Sequence, residues 1–522
     1  MKKHFAYLIA TVIVWLAIGH SDVVPCTIIT VGKTASTDNS TINCNVSDSR
    51  TTRTWIDIVT HRYHNPGSLC EIYSNSKRTV SAFDLSAAQI AGEIPQVSET
   101  YKYLNTGYPC MNEYQLTVSE TTFGGRDTLR NKNAMFTCEE LCRIIMERAK
   151  TAREAIRIID NLTQTYGYND AGECLAIADK EEVWYLEILG CGHDKIGAIW
   201  AAQRVPQGHV SVCANGSRIR QLNLKDSDWC MASKNVFAIA EKMGWWDRTS
   251  GQPFEFCYTY APESRRSMAT RRREWRVFDL WAPSLGLDPN ASDFPFSVKP
   301  DSLVSVRDVM AIIRDTFEGT DFDITKNIIV PDKDGKMVKS PYANPFMHYD
   351  MMPLFKINGG WGAYGERCIA RYYCNYSIVM QIRDWLPDPI GGLIWHGYDN
   401  PATTTHAPLC IGITDVAGSY KISGRTGFNR ECAWWAFNRV ADLSAQKWGD
   451  MRVDVDSARQ VVEATVFDSQ AALEDRALKL YRKNPDAAGD ELTRFAIDYC
   501  EMIVREWWKL GDWLWTKYTG KF

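Results

Sequence analysis

Pro25-Cys26-Thr27-Ile28-Ile29-Thr30-Val31-Gly32-Lys33 is the stretch from which the fold can be read. Residues 27–31 are rich in β-branched side chains, which suit a buried pleated strand, and Gly32 marks the exit. Residues 34–40 form a polar turn, and Thr41-Ile42-Asn43-Cys44-Asn45-Val46 reads as a second strand. If the two pair as a hairpin centred near Ser36 and Thr37, facing residue numbers sum to about 73. That register sets Ser47 and Asp48 beside Cys26. A thiol is a nucleophile only as thiolate, and an ordinary cysteine is mostly protonated at neutral pH. A cut before Cys26 would give it an α-amine titrating at roughly 7.7–8, able to take the thiol proton. Asp48 could then hold the ammonium or orient the thiol. The residues alone leave other readings open: Cys26 as a small core residue or half a disulfide, and Asp48 with Ser49 as turn residues.

The residues before Cys26 suit such a cut. Lys2 and Lys3 precede an apolar run over residues 5–18, broken mainly by Thr11, which fits a secretory signal better than a membrane span. Ala17-Ile18-Gly19 offers small residues for signal cleavage, giving an expected signal peptide of residues 1–19. Pro25 is a poor residue before that cut, so residues 20–25 read as a propeptide removed in a second, autocatalytic step at Pro25–Cys26. A retained anchor is the competing reading. The mature domain would run over residues 26–522.

Composition bounds the rest. The chain has 522 residues, 45% of them hydrophobic, enough to bury one large core or two. A formal net charge of −4 gives no reason to expect nucleic acid or an anionic membrane as partner. Sixteen cysteines are many for an exported chain, but the length excludes a disulfide-framework fold. Cys44, Cys174, Cys191 and Cys213 read as core filler, and no pairing can be assigned. His61, His64 and Cys70 lack a fourth ligand for zinc, and Asp332-Lys333-Asp334-Gly335 reads as a turn. No metal or cofactor site is expected.

Further along, residues 113–120, 172–178, 182–189 and 210–215 read as strands. Two helices follow the first of these, each announced by a capping box: Thr137 with Glu140, and Thr151 with Glu154. The charge-rich run containing Arg265, Arg266, Arg271, Arg272 and Arg273 reads as a solvated face, since the overall charge is balanced. Near the C-terminus Ile503, Trp507, Leu510 and Leu514 share one helical face, as in a docked terminal helix. Helices that come in blocks after strands, without steady alternation, point to an α+β fold.

Cys26-Thr27, Val31-Gly32-Lys33, Ala35-Ser36 and Asp38 resemble the mature start of the cysteine-type N-terminal-nucleophile dipeptidases, the dipeptidase A family. Its relatives are the secernins and, more distantly, the penicillin V acylases. The likeness continues through Thr151-Ala152-Arg153-Glu154-Ala155-Ile156, Arg204-Val205-Pro206, Glu318-Gly319-Thr320 and Trp434-Trp435-Ala436-Phe437, over nearly the whole mature chain. The resemblance implies an αββα sandwich and a C-terminal helical extension. It also implies a small peptide substrate, with Cys26 as nucleophile, Asp48 near its amine and Asn215 supporting the oxyanion. An arginine common in the family three residues before the aspartate is Asn45 here, which bears on how substrate is held, and Arg50 could compensate. We expect an exported, periplasmic or secreted homo-oligomer without a stable membrane span. The alternatives are a hydrolase of other acyl-amides, a Cys-His protease using His193, His209 or His348, and a non-catalytic binding protein.

Overall fold

The computed structural model describes residues 26–49, 52, 54–74, 88–347 and 366–519. Pro25, Arg50 and His348 lie outside the described residues, as do the expected signal peptide and propeptide. The fold is α+β with antiparallel sheets.

Cys26–Val31 is a strand buried at every position, because it is central and covered on both faces. It pairs antiparallel with Thr41–Asp48, with Cys26 opposite Ser47 and Thr27 opposite Val46, the register expected from the sequence. Its other neighbour is Val210–Cys213. The seven-stranded sheet runs from Ser297–Val298 through these three strands to Cys374–Ile382, Leu393–Tyr398 and Ala407–Cys410. Gly32 closes the first strand where a side chain has no room: a Cβ there would collide with the carbonyl groups of Pro206 and Gln207.

An eight-stranded sheet is built around Thr117–Gly124, Gly172–Ala178, Val183–Gly190 and Ala198–Val205. The strand expected at residues 113–120 therefore starts and ends later. Its first residues form a turn, tied by Asn112 Oδ1 accepting from the Tyr114 and Leu116 N–H groups.

Side-chain alternation separates two surfaces of the first strand. Ile29 and Val31 join the largest core with Trp275, Phe278, Val309 and Ile312. Ile28 points the other way, into a cluster with Cys174, Tyr185 and Cys213. Between the two large sheets the contacts are also polar: Asn43 Nδ2 donates to the Ala176 carbonyl at 3.0 Å, and Asn45 Nδ2 to that of Glu120 at 2.8 Å.

The far face of the eight-stranded sheet packs on two helices, Cys138–Arg148 and Ala152–Tyr166, through Leu141, Ile145, Ile156 and Ile159. Thr137 and Thr151 cap them by accepting from the Glu140 and Glu154 N–H groups. The glutamates do not return the bond to their caps. Glu140 accepts from Arg143 and the Tyr73 N–H, and Glu154 accepts from the Lys150 N–H. The C-terminal helices Ala433–Gln446, Trp448–Tyr481 and Pro485–Tyr518 cover the other end of the first sheet, with Ile503, Trp507, Leu510 and Leu514 buried. Among the described residues no helix is long and apolar enough to cross a membrane.

Candidate active site

The Cys26 side chain faces the second sheet and is fully buried. Its Sγ donates to Glu120 Oε1 at 3.2 Å, and the Asp48 backbone N–H points at the sulfur. Burial, then the Glu120 and Asp48 carboxylates, push the thiol well above the ordinary cysteine value. With Cys26 still in peptide linkage to Pro25, the sulfur is a protonated thiol at neutral pH.

Asp48 ends the second strand, where a bulge in the neighbouring strand Cys374–Ile382 shifts the ladder. Arg367 pairs with its Oδ2. Its Oδ1 and the adjacent Ser47 Oγ are buried and have no hydrogen-bond partner among the described residues. Burial raises the Asp48 carboxyl above its usual range, while Arg367, Arg273 and Arg371 pull against that rise.

Asn215 stands two residues past the strand Val210–Cys213, in the left-handed region at φ 62°. Its Nδ2 donates to Thr121 Oγ1 at 3.0 Å and to the Thr122 carbonyl at 2.8 Å. Its Oδ1 accepts from Arg273 Nη2 at 2.8 Å and Arg367 Nη1 at 3.2 Å. Thr121 Oγ1 in turn donates to the Cys26 carbonyl at 3.2 Å, so Asn215 is tied to the Cys26 strand through one hydroxyl. Asn45 is buried one pleat away, where it bridges the sheets.

The arginine-rich run is not a solvated face. Arg265, Arg272 and Arg273 are buried on or beside the helix Met268–Trp281, and of the five arginines Arg266 is the one that fits that expectation. Arg265 and Arg218 pair with the buried Glu274, and Arg272 with Glu366. Arg273 reaches the Cys26 strand itself: Nη1 donates to the Cys26 carbonyl at 2.9 Å and to Thr27 Oγ1 at 2.7 Å. Burial, then Arg367, pull its guanidinium down to about 9. Balanced composition does not distinguish exposed charges from buried pairs, and here tertiary packing buries most of them.

Glu120, Arg273 and Arg367 are the site residues that sequence reasoning missed. Glu120 carried one usable signal, an acidic side chain inside a Thr- and Val-rich strand. The alternative histidine bases fall elsewhere. His209 bonds Ser297 Oγ, and its carbonyl accepts from the Gly32 N–H. That places it at the opposite end of the strand, about 20 Å from Cys26 at 3.3 Å per residue. His193 is exposed beside Asp194.

Glu187 fixes the turn that follows Asn215 by accepting from Ser217 Oγ and from the Arg218 and Ile219 N–H groups. Burial outweighs those bonds and pushes its carboxyl up to about 7. The folded chain thus keeps a proton that the unfolded chain releases near pH 4.3, so this stabilisation fades as pH rises from about 4 through 7. Glu187→Gln keeps the shape and removes the titration. Thermal unfolding of both proteins from pH 5 to 8 is expected to show a shallower loss of stability in the variant, by on the order of 2–3 kcal/mol over that range. Parallel pH profiles would remove Glu187 as a source of the slope.

Among the described residues Glu120, Cys138 and Glu173 bring metal-ligand atoms within 4.8 Å of one another. Glu120 is engaged by Cys26 and Glu173 by Thr122 Oγ1 at 2.6 Å, so this acidic pocket is partly used within the fold.

Comparison with known proteins gives these residues a family context. The profile of peptidase family C69 matches residues 25–460, most of the chain. A probable dipeptidase of Salmonella dublin is 24% identical, over 79% of this chain and 86% of its own. A probable dipeptidase of Latilactobacillus sakei is 21% identical, over 87% of this chain and 88% of its own. A probable dipeptidase B of Lactococcus lactis subsp. lactis is 25% identical over 61% of this chain and 59% of its own.

Proposed function

Because this chain belongs to peptidase family C69, we propose that it is a dipeptidase whose nucleophile is Cys26, freed as the chain terminus by cleavage of Pro25–Cys26. The observation that carries the reading is the pair of unpartnered buried acceptors, Asp48 Oδ1 and Ser47 Oγ, next to Cys26. Buried acceptors without donors are costly, and a new α-ammonium at Cys26 supplies donors and positive charge together. That charge also offsets the two carboxylates that hold the thiol up, which makes the thiolate accessible near neutral pH. We place this chemistry on an αββα sandwich of the N-terminal-nucleophile type, consistent with helices outside two facing sheets.

In the uncut chain Glu120 takes the Cys26 proton and the thiolate attacks the Pro25 carbonyl. The C–N bond breaks as protonated Glu120 returns the proton to the Cys26 nitrogen, which frees the α-amine, and water then hydrolyses the Pro25–Cys26 thioester to release the Pro25 carboxylate and the thiol. In turnover that amine accepts the thiol proton and the thiolate attacks the peptide carbonyl. The ammonium protonates the departing nitrogen, and water resolves the acyl-enzyme. Asn215 gives up its bonds to Thr121 and Thr122 for the oxyanion, an interaction worth roughly 3–4 kcal/mol per donor in comparable sites. Asn45 and Arg50 remain substrate-side candidates. Export through the leader of residues 1–19, a periplasmic or secreted location and homo-oligomeric assembly complete the proposal.

The test is a panel of dipeptides against N-acylated amines such as penicillin V, after the purified chain is sequenced to begin at Cys26. Turnover of dipeptides with little of the acyl-amides is expected. Turnover of acyl-amides alone would overturn the dipeptidase reading and assign a different amide hydrolase.

A further inference from the structure

In the uncut chain the Cys26 nitrogen is an amide, which carries neither a positive charge nor a basic lone pair. Charge compensation for a thiolate must then come from side chains. The sulfur faces two carboxylates, Glu120 from the second sheet and Asp48 from the adjoining strand. Tyr108, Tyr376 and Cys374 complete its surroundings, and burial keeps all three protonated and neutral. Burial also raises the Asp48 carboxyl, and three arginines oppose that rise, Arg367 most strongly, then Arg273 and Arg371.

Arg367 is placed across the head of the Cys26 strand. On one side its Nη2 pairs with Asp48 Oδ2, one residue past Ser47, the partner of Cys26. On the other side its Nη1 donates to Asn215 Oδ1 at 3.2 Å. The register there sets Ile28 opposite Cys213, and two residues further it brings Asn215 to the level of Cys26. One guanidinium thus joins the two strands that flank Cys26, at the end where the Pro25–Cys26 bond is cut. It holds Oδ2 of Asp48 and leaves Oδ1, the oxygen without a partner, for another cation.

We propose that Arg367 is a positioning residue for self-cleavage, standing in on Asp48 for the α-ammonium that the cut creates. It exchanges no proton: the thiol proton goes to Glu120 and returns to the Cys26 nitrogen. The guanidinium offsets the Asp48 charge while the thiolate forms and attacks the Pro25 carbonyl. After the cut the ammonium enters at Oδ1 and Ser47 Oγ, so the two cations use different oxygens. Turnover then has a cation of its own and depends less on Arg367, and Asn215 Oδ1 keeps its bond from Arg273 at 2.8 Å. This rests on the self-cleavage proposed above and names the residue that lets it run before an amine exists.

Arg367→Gln and Arg367→Lys in the full chain test it. Cleavage is followed by intact mass during cell-free synthesis, and kcat on a dipeptide is measured per chain that begins at Cys26. R367Q is expected to cleave itself about tenfold or more slowly at pH 7, because an opposite charge at close range shifts an ionisation by at least about one unit. Its kcat per cut chain should fall by a clearly smaller factor. R367K should keep most of the cleavage rate, since one ammonium suffices for one carboxylate oxygen. Cleavage of R367Q at the wild-type rate would overturn the role and leave self-cleavage standing. Equal losses of cleavage and kcat, unrescued by lysine, would also overturn it and make Arg367 a structural tie. A wild type that stays joined at Pro25–Cys26 would overturn both this role and the self-cleavage reading.

Discussion

Cys26→Ala is expected to abolish dipeptide hydrolysis and to leave the Pro25–Cys26 bond uncut. Both follow from one atom. In the proposed mechanism the sulfur attacks the Pro25 carbonyl in processing and the substrate carbonyl in turnover, and alanine offers neither a nucleophile nor a thiol proton to move. Activity should fall by at least about 10⁴-fold, as when a covalent nucleophile is removed from other hydrolases. Intact mass and N-terminal sequencing of the variant should still find Pro25 upstream of residue 26. Cys26→Ser separates the steps. A hydroxyl is a poorer nucleophile in this acidic pocket, so processing should be slow and most activity lost. Dipeptide hydrolysis by Cys26→Ala at wild-type rate would move the chemistry to another residue, and a fully active wild-type chain still carrying Pro25 would remove the amine from the mechanism.

The second large effect is expected at Arg273. All five of its N–H groups are used: Nε on the Ala269 carbonyl, Nη1 on the Cys26 carbonyl and Thr27 Oγ1, and Nη2 on the Ala214 carbonyl and Asn215 Oδ1. The side chain thus holds the head of the nucleophile strand and the Asn215 turn to one helix. Lysine keeps the charge but has three donors on a single atom and cannot span these acceptors. For Arg273→Lys, kcat should fall about 100-fold with a smaller change in KM, because misplacing the nucleophile by about an ångström costs that much. Arg273→Met should in addition lower the thermal midpoint, since it strips donors from several buried acceptors at about 1–3 kcal/mol each. A kcat within twofold of wild type in Arg273→Lys would show that this clamp does not position the nucleophile.

The parts of the site that could be read in the chain are those set by local rules. Strand pairing has fixed arithmetic, so the run over residues 27–31, the polar turn and the next strand placed Ser47 opposite Cys26 and brought Asp48 to its side. Helix starts were legible through Thr137 and Thr151 because a cap is a contact across three residues. Asn215 was reached through the family resemblance, and the structure ties its amide to Thr121 and Thr122, not to open space.

By itself, then, the sequence determined an α+β chain with Cys26 heading a central strand and Asp48 beside it, since β-branching, turn polarity and hairpin register act over a few residues. Only the tertiary structure decided what surrounds the sulfur. Glu120 lies 94 residues from Cys26, Arg273 lies 247 from it, and Arg367 lies 319 from Asp48. No local pattern couples residues so far apart. They meet because two sheets close face to face and exclude water, and in that space a carboxylate or guanidinium must find a partner or be very costly to bury. The same exclusion turned an arginine-rich run that composition made look solvated into the buried clamp of the Cys26 strand.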